Sequence, residues 1–185
     1  MGIPNLLTFL RIILIPVFIL LFYLPFRGSH VLAAIIFIFA AMTDWLDGYL
    51  ARSLGQVSKL GTFLDPVADK LIVVTALVLL VGDRVLPYLA IPAIVIICRE
   101  IMVSALREWM AEIGKRTRIA VTRIGKIKTT VQMLALILLL LYKPGAWFAL
   151  ALSGYLLLYL AALLTLWSMS LYLKEAWHDL SPGQY

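Results

Sequence analysis

Six apolar runs, residues 6–24, 31–50, 61–82, 86–106, 124–142 and 147–173, follow one another with short polar connections between them. An α-helix needs roughly 20 such residues to cross the hydrocarbon core of a bilayer, and the runs are close to that length. Backbone groups in lipid must be satisfied internally, which leaves helices or a closed barrel. Barrel strands would alternate apolar and polar residues in segments of about ten, and none do so here. Hydrophobic residues make up 63% of the 185 and charged residues 14%. Soluble domains sit near half and about a quarter. The expected fold is an all-α membrane protein, a single domain over residues 1–185 built as a bundle of six transmembrane helices.

The start of the chain lacks the basic leader and small-residue cleavage site of a secretory signal, and Arg11 interrupts the first run. Cys98 is the single cysteine, so no internal disulfide and no thiolate metal cluster can form. It is expected to be a packing residue. His30 and His178 flank runs and read as loop residues. The net charge of +6 is uneven. Arg27, Arg84 and Lys143 fall at one set of connections. Arg52, Lys59, the basic run from Arg107 to Lys128, and Lys174 fall at the other. The positive-inside rule therefore places both termini and the basic loop in the cytoplasm. Nucleic acid is not an expected partner, because these charges are interleaved with membrane spans; lipid headgroups are.

Against this background, the stretch DWLDGYLARSLGQVSKLGTFLDPVAD carries four aspartates. Asp44 and Asp47 are spaced i, i+3, and Asp65 and Asp69 are spaced i, i+4, so each pair shares a helical face. Asp44 lies 14 residues from His30 at the outer end of its run, and Asp69 lies 13 from Gly82. Asp47 and Asp65 each lie 17 residues from the same two ends. At 1.5 Å per residue the pairs reach about 20 and 25 Å, at matching levels on two antiparallel helices. Four facing carboxylates repel one another unless cations lie between them. Hard oxygen ligands select Mg²⁺, Mn²⁺ or Ca²⁺, and two divalent ions would balance four carboxylates.

Other runs bring polar groups to the same layer. Arg11 lies 13 residues from Leu24, with Thr8 and Asn5 on its face at three-residue spacing. Arg99 lies 13 from Leu86, and Lys128 lies 14 from Tyr142. Ionisable groups at such depth are costly and normally face a cavity. The expectation is a polar, metal-binding cavity in the cytoplasmic half of the bundle. Gly48, Ala51 and Gly61 would let a ligand or helix approach closely. Pro66 should kink or start its helix.

Written as a pattern, the stretch is Asp-x2-Asp-Gly-x2-Ala-Arg-x8-Gly-x3-Asp-x3-Asp. It resembles the signature of the CDP-alcohol phosphatidyltransferase family, with every fixed position present and no departure in spacing. The likeness extends over most of the chain, through IPNLLTFLRIILIPVF, FLDPVADK, REI, SALREWMAEIGKR, GKIKTT and LTLWSM. It implies a bacterial inner-membrane enzyme of six helices, usually a homodimer. Such an enzyme moves a phosphatidyl group from CDP-diacylglycerol to glycerol 3-phosphate and releases CMP.

The same resemblance implies residue roles. Asp44, Asp47, Asp65 and Asp69 would hold two divalent ions, Mg²⁺ or Mn²⁺, and Asp69 would also take the proton of the acceptor hydroxyl. Gly48, Ala51, Arg52, Gly61 and Thr62 would line the CDP-diacylglycerol site, closed from the first helix by Pro4, Asn5, Thr8 and Arg11. The acceptor's own phosphate needs separate cations. Arg99, Arg107, Arg118, Lys126 and Lys128 are candidates, with Arg107, Arg118 and Lys126 favoured; Glu100, Glu108 and Glu112 read as salt-bridge partners. Inositol phosphate, serine or phosphatidylglycerol would be alternative acceptors. A divalent-cation transporter, the reading from another class, would need polar residues near mid-bilayer with access from both sides. The outer half of each run is almost purely apolar.

Overall fold

In the computed structural model, which describes residues 3–26, 28–54, 59–83, 86–112, 123–142 and 148–180, each apolar run becomes one helix. These are α1 (Ile3–Tyr23), α2 (Ser29–Leu54), α3 (Lys59–Gly82), α4 (Ala90–Glu112), α5 (Arg123–Leu141) and α6 (Phe148–Leu180). Every regular element among the described residues is helical. Among the described residues, two of the helices hold stretches long and apolar enough to cross a membrane, Leu6–Tyr23 and Phe148–Ser170. Ser29–Thr43 of α2 and Ile127–Leu141 of α5 are shorter apolar stretches among the described residues.

Three boundaries differ from the hydropathy reading. α2 continues to Leu54, so the whole segment from Asp44 to Arg52 lies on one helix. α6 reaches Leu180 and, at 33 residues, is about 50 Å long. α4 begins at Ala90 because the chain turns just before it, where Tyr88 has a φ of 65°. That left-handed conformation is unfavourable for a residue with a Cβ. Two hydroxyls from α6 hold the turn: Tyr155 donates to the Pro87 carbonyl at 2.6 Å and Tyr159 to the Tyr88 carbonyl at 2.9 Å.

Pro66 lies inside α3, seven residues after Lys59, and does not start it. It has no N–H to offer the Thr62 carbonyl, so one rung of the helix ladder is missing beside Asp65. Cys98 is exposed on α4, not packed inside. His30 falls in the first turn of α2 and His178 within α6, so neither is a loop residue.

Lipid tails are as apolar as leucine, so helices in a bilayer associate through close contact of small residues. The core follows that rule: Ala33, Ala34, Ala40, Ala76, Ala93 and Ala135 interleave with Phe18, Phe37, Leu77 and Leu80. At Gly154 of α6, a Cβ would meet the Leu139 side chain of α5 at 2.8 Å, so any larger residue would force Leu139 to shift at this tight crossing. α5 packs most extensively on α6, followed by α1 on α2, α1 on α3, and α4 on α6. α3 touches α2, α4 and α5 only sparsely, and a cavity of about 740 Å³ lies where these helices part.

Candidate active site

Helices α1 and α3 present their polar residues to each other in parallel register. The Thr8 hydroxyl donates to Asp65 Oδ1, and Arg11 Nη1 donates to Asp69 Oδ1. Thr8 and Arg11 are both buried, whereas the Asp69 side chain is 40% exposed. The i, i+3 spacing on α1 and the i, i+4 spacing on α3 make these two rungs about one helical turn apart. An arginine buried among apolar helices would be costly without a carboxylate, and Asp69 offsets that cost.

A second polar cluster joins α4, α5 and α6. Glu100 Oε1 accepts from Arg99 Nη1 at 2.8 Å and from Lys128 Nζ at 2.7 Å. Arg99 Nη2 reaches Ser168 on α6 at 3.3 Å. Lys128 is fully buried and Arg99 nearly so. From α3, Lys70 donates to the Ser104 hydroxyl, which in turn donates to the Glu100 carbonyl oxygen at 2.6 Å. Among the described residues, one carboxylate thus serves two cations beside the cavity. Asp69, Lys70 and Glu100 all line that cavity, together with Thr129, Thr130 and Gln132 of α5.

The residues expected from sequence divide into those joined here and those not described. Thr8, Arg11, Asp65 and Asp69 come together as above. Gly61 is buried on α3, next to this set in sequence. Asp44, Asp47, Gly48, Ala51 and Arg52 lie on α2, Pro4 and Asn5 on α1, Thr62 on α3, Arg107 on α4 and Lys126 on α5. Their side chains lie outside the described set, and Arg118 lies outside the described residues altogether. Arg99 and Lys128 are committed to Glu100, which makes Glu100 the salt-bridge partner that its position suggested. Lys70, Ser104 and Gln132 had no expected role. The signal was present for two of them: Lys70 directly follows Asp69, and Gln132 is an amide within an apolar run.

Among the described residues no three His, Cys, Asp or Glu side chains come together. Asp65 and Asp69 nevertheless suit a divalent ion. They are hard oxygen donors on one face of α3, and Asp69 is turned to the cavity with a cation against it. They fit as two of the four carboxylates in the signature segment.

The sequence pattern of the CDP-alcohol phosphatidyltransferase family matches residues 1–167. The chain is 52% identical over 180 residues to a CDP-diacylglycerol–glycerol-3-phosphate 3-phosphatidyltransferase of Yersinia enterocolitica, covering 97% of each chain. It is 57% identical over 187 residues to the protein of that name from Pseudomonas fluorescens, covering 97% of this chain and 92% of the relative. A third, from Pectobacterium atrosepticum, is 54% identical over 179 residues, with 97% of each chain covered. A family match over most of the chain, with relatives more than half identical along nearly all of it, places this protein in the CDP-alcohol phosphatidyltransferase family and makes it a transferase.

Proposed function

We propose that this protein transfers the phosphatidyl group of CDP-diacylglycerol to glycerol 3-phosphate, giving phosphatidylglycerophosphate and CMP. The observation that carries the chemistry is the Arg11–Asp69 pair, buried on the arginine side and open to the cavity on the aspartate side. A carboxylate anchored in this way has one fixed direction in which to accept a proton. The acceptor hydroxyl attacks the β-phosphorus, its proton passes to Asp69, and the bond from that phosphorus to the oxygen of CMP breaks.

Asp44, Asp47, Asp65 and Asp69 would hold two divalent ions, Mg²⁺ or Mn²⁺, whose charge offsets that of the diphosphate and the departing CMP. Thr8 fixes Asp65 by its hydroxyl, and Arg11 fixes Asp69. With Pro4, Asn5, Gly48, Ala51, Arg52, Gly61 and Thr62 they form the proposed CDP-diacylglycerol site. Arg52 offers a forked donor set suited to phosphate oxygens. Arg107, Arg118 and Lys126, from the basic segment around the α4–α5 connection, are assigned to the acceptor's phosphate.

The proposed setting is a bacterial inner membrane, crossed six times, with both termini and the cavity mouth on the cytoplasmic side and the protein paired as a homodimer. The test is a detergent-solubilised assay in which CDP-diacylglycerol is offered with glycerol 3-phosphate, inositol phosphate, serine or phosphatidylglycerol in turn. CMP release should require glycerol 3-phosphate, vanish with chelator and return with Mg²⁺ or Mn²⁺. Turnover with another acceptor alone would reassign the substrate, and full turnover in excess chelator would remove the metal ions.

A further inference from the structure

The cavity between α3, α4 and α5 changes character along its length. At one end its wall carries Asp69, Lys70, Glu100 and Thr129. One helical turn beyond Lys128, away from the basic end of α5, stands Gln132. Further along α5 and α3 the wall is apolar, formed by Ile137, Val73 and Leu77.

Gln132 is unusual among the cavity's polar residues. It is only 4% exposed, and its Oε1 is buried with no hydrogen-bond partner among the described residues. A carboxamide left unpaired among apolar side chains is destabilising in the free protein, and a ligand that satisfies it recovers that loss. A half-turn of the terminal amide exchanges its oxygen and nitrogen, so the group can face the cavity as donor or acceptor. The polarity gradient identifies which. Charged groups and small polyols belong at the Asp69–Glu100 end. At the level of Gln132, where the wall turns apolar, a phospholipid brings its ester carbonyls, which only accept. The glycerol backbone separates ester from phosphate by a few bonds, a span comparable to the single turn between Lys128 and Gln132.

We infer that Gln132 is a specificity-determining residue for the lipid donor: its carboxamide donates to an ester carbonyl of the diacylglycerol backbone, with the attached chain continuing along the apolar wall. This rests on the phosphatidyl-transfer reading proposed above. It makes the enzyme sensitive to the linkage of its lipid, since an ether-linked CDP-dialkylglycerol offers no carbonyl and leaves the buried amide unpaired.

The experiment compares kcat/KM for ester-linked CDP-diacylglycerol and ether-linked CDP-dialkylglycerol of equal chain length. It uses full-length protein in mixed micelles with glycerol 3-phosphate. Wild type should favour the ester by about three- to tenfold, the worth of one neutral hydrogen bond. Gln132→Met and Gln132→Leu should lose that preference by slowing with the ester while keeping their ether rate. A wild type indifferent to linkage would overturn the inference without touching the transfer reaction. So would variants that lose both donors equally, which would make Gln132 a structural residue. A wild type that releases no CMP from either lipid would instead remove the reaction on which the inference stands.

Discussion

Arg11 of α1 donates through Nη1 to Asp69 of α3, with the arginine side chain 1% exposed and the aspartate side chain 40% exposed. The interaction therefore has a dry side and a wet side. The dry side anchors α1 to α3, and the wet side leaves carboxylate surface open to the cavity.

Removing the anchor should show first in stability. Arg11→Met should lower the apparent Tm in detergent by the equivalent of about 1–3 kcal/mol, less than a fully buried pair because Asp69 is partly solvated. The double variant Arg11→Met with Asp69→Asn should recover much of that loss, since the uncompensated charge is gone. A double variant with losses that simply add would mean the two residues are not coupled.

Glu100 carries a heavier structural load, because one carboxylate serves both Arg99 and Lys128. Glu100→Gln removes the carboxylate that both buried cations contact and should destabilise by about 3 kcal/mol or more. Lys128→Met should cost less, because Glu100 keeps Arg99. Thermal melts of the two variants followed by helix content rank them directly, and the reverse order would show that Glu100 is not the hub.

Part of this arrangement is legible in the sequence. Arg11 and Asp69 each lie 13 residues from the outer end of their runs, so equal depth follows from counting, and the structure joins them. The Asp65–Asp69 spacing fixes a common face on any helix. The Glu100 hub is harder to see, because Arg99 and Glu100 are adjacent and adjacent residues do not share a helical face. Long, flexible side chains bring them together in spite of that. Which helices touch is also hidden from hydropathy. The outer half of a run such as α3 is apolar on almost every face, so hydropathy alone shows neither that α3 packs sparsely on α2, α4 and α5 nor that Gly154 lets α6 close on Leu139 of α5. Gln132 stands out in the sequence only as an amide in an apolar run, one turn from Lys128, and its meaning comes from the cavity it lines.

The two ends of the substrate site should separate kinetically. Arg107→Ala and Lys126→Ala should raise KM for glycerol 3-phosphate by about ten- to a hundredfold, the worth of one charge-assisted contact, and spare CDP-diacylglycerol. Arg52→Ala and Thr8→Ala should show the opposite pattern. Because both substrates meet at one phosphorus, the ratio of the two effects is the quantity to compare. An unchanged glycerol 3-phosphate dependence in both Arg107 and Lys126 variants would make them topology signals and move the search for the phosphate contact to Arg99, Arg118 and Lys128.

Orientation has its own check. Cys98 is exposed on α4, so thiol labelling needs a Cys98→Ala background. In that background Gly114→Cys should react with a membrane-impermeant reagent only from the cytoplasmic side. Labelling from outside would invert the bundle and put the cavity mouth on the wrong face for a CDP substrate.

The fate of one phosphorus atom is the sharpest test of the proposed reaction. CDP-diacylglycerol carrying a labelled β-phosphate should, when mixed with the purified protein and glycerol 3-phosphate, pass its label into a lipid product while unlabelled CMP is released. Neither should form when glycerol 3-phosphate is omitted. Label leaving with the nucleotide, or appearing as free phosphate, would place bond cleavage elsewhere and contradict phosphatidyl transfer.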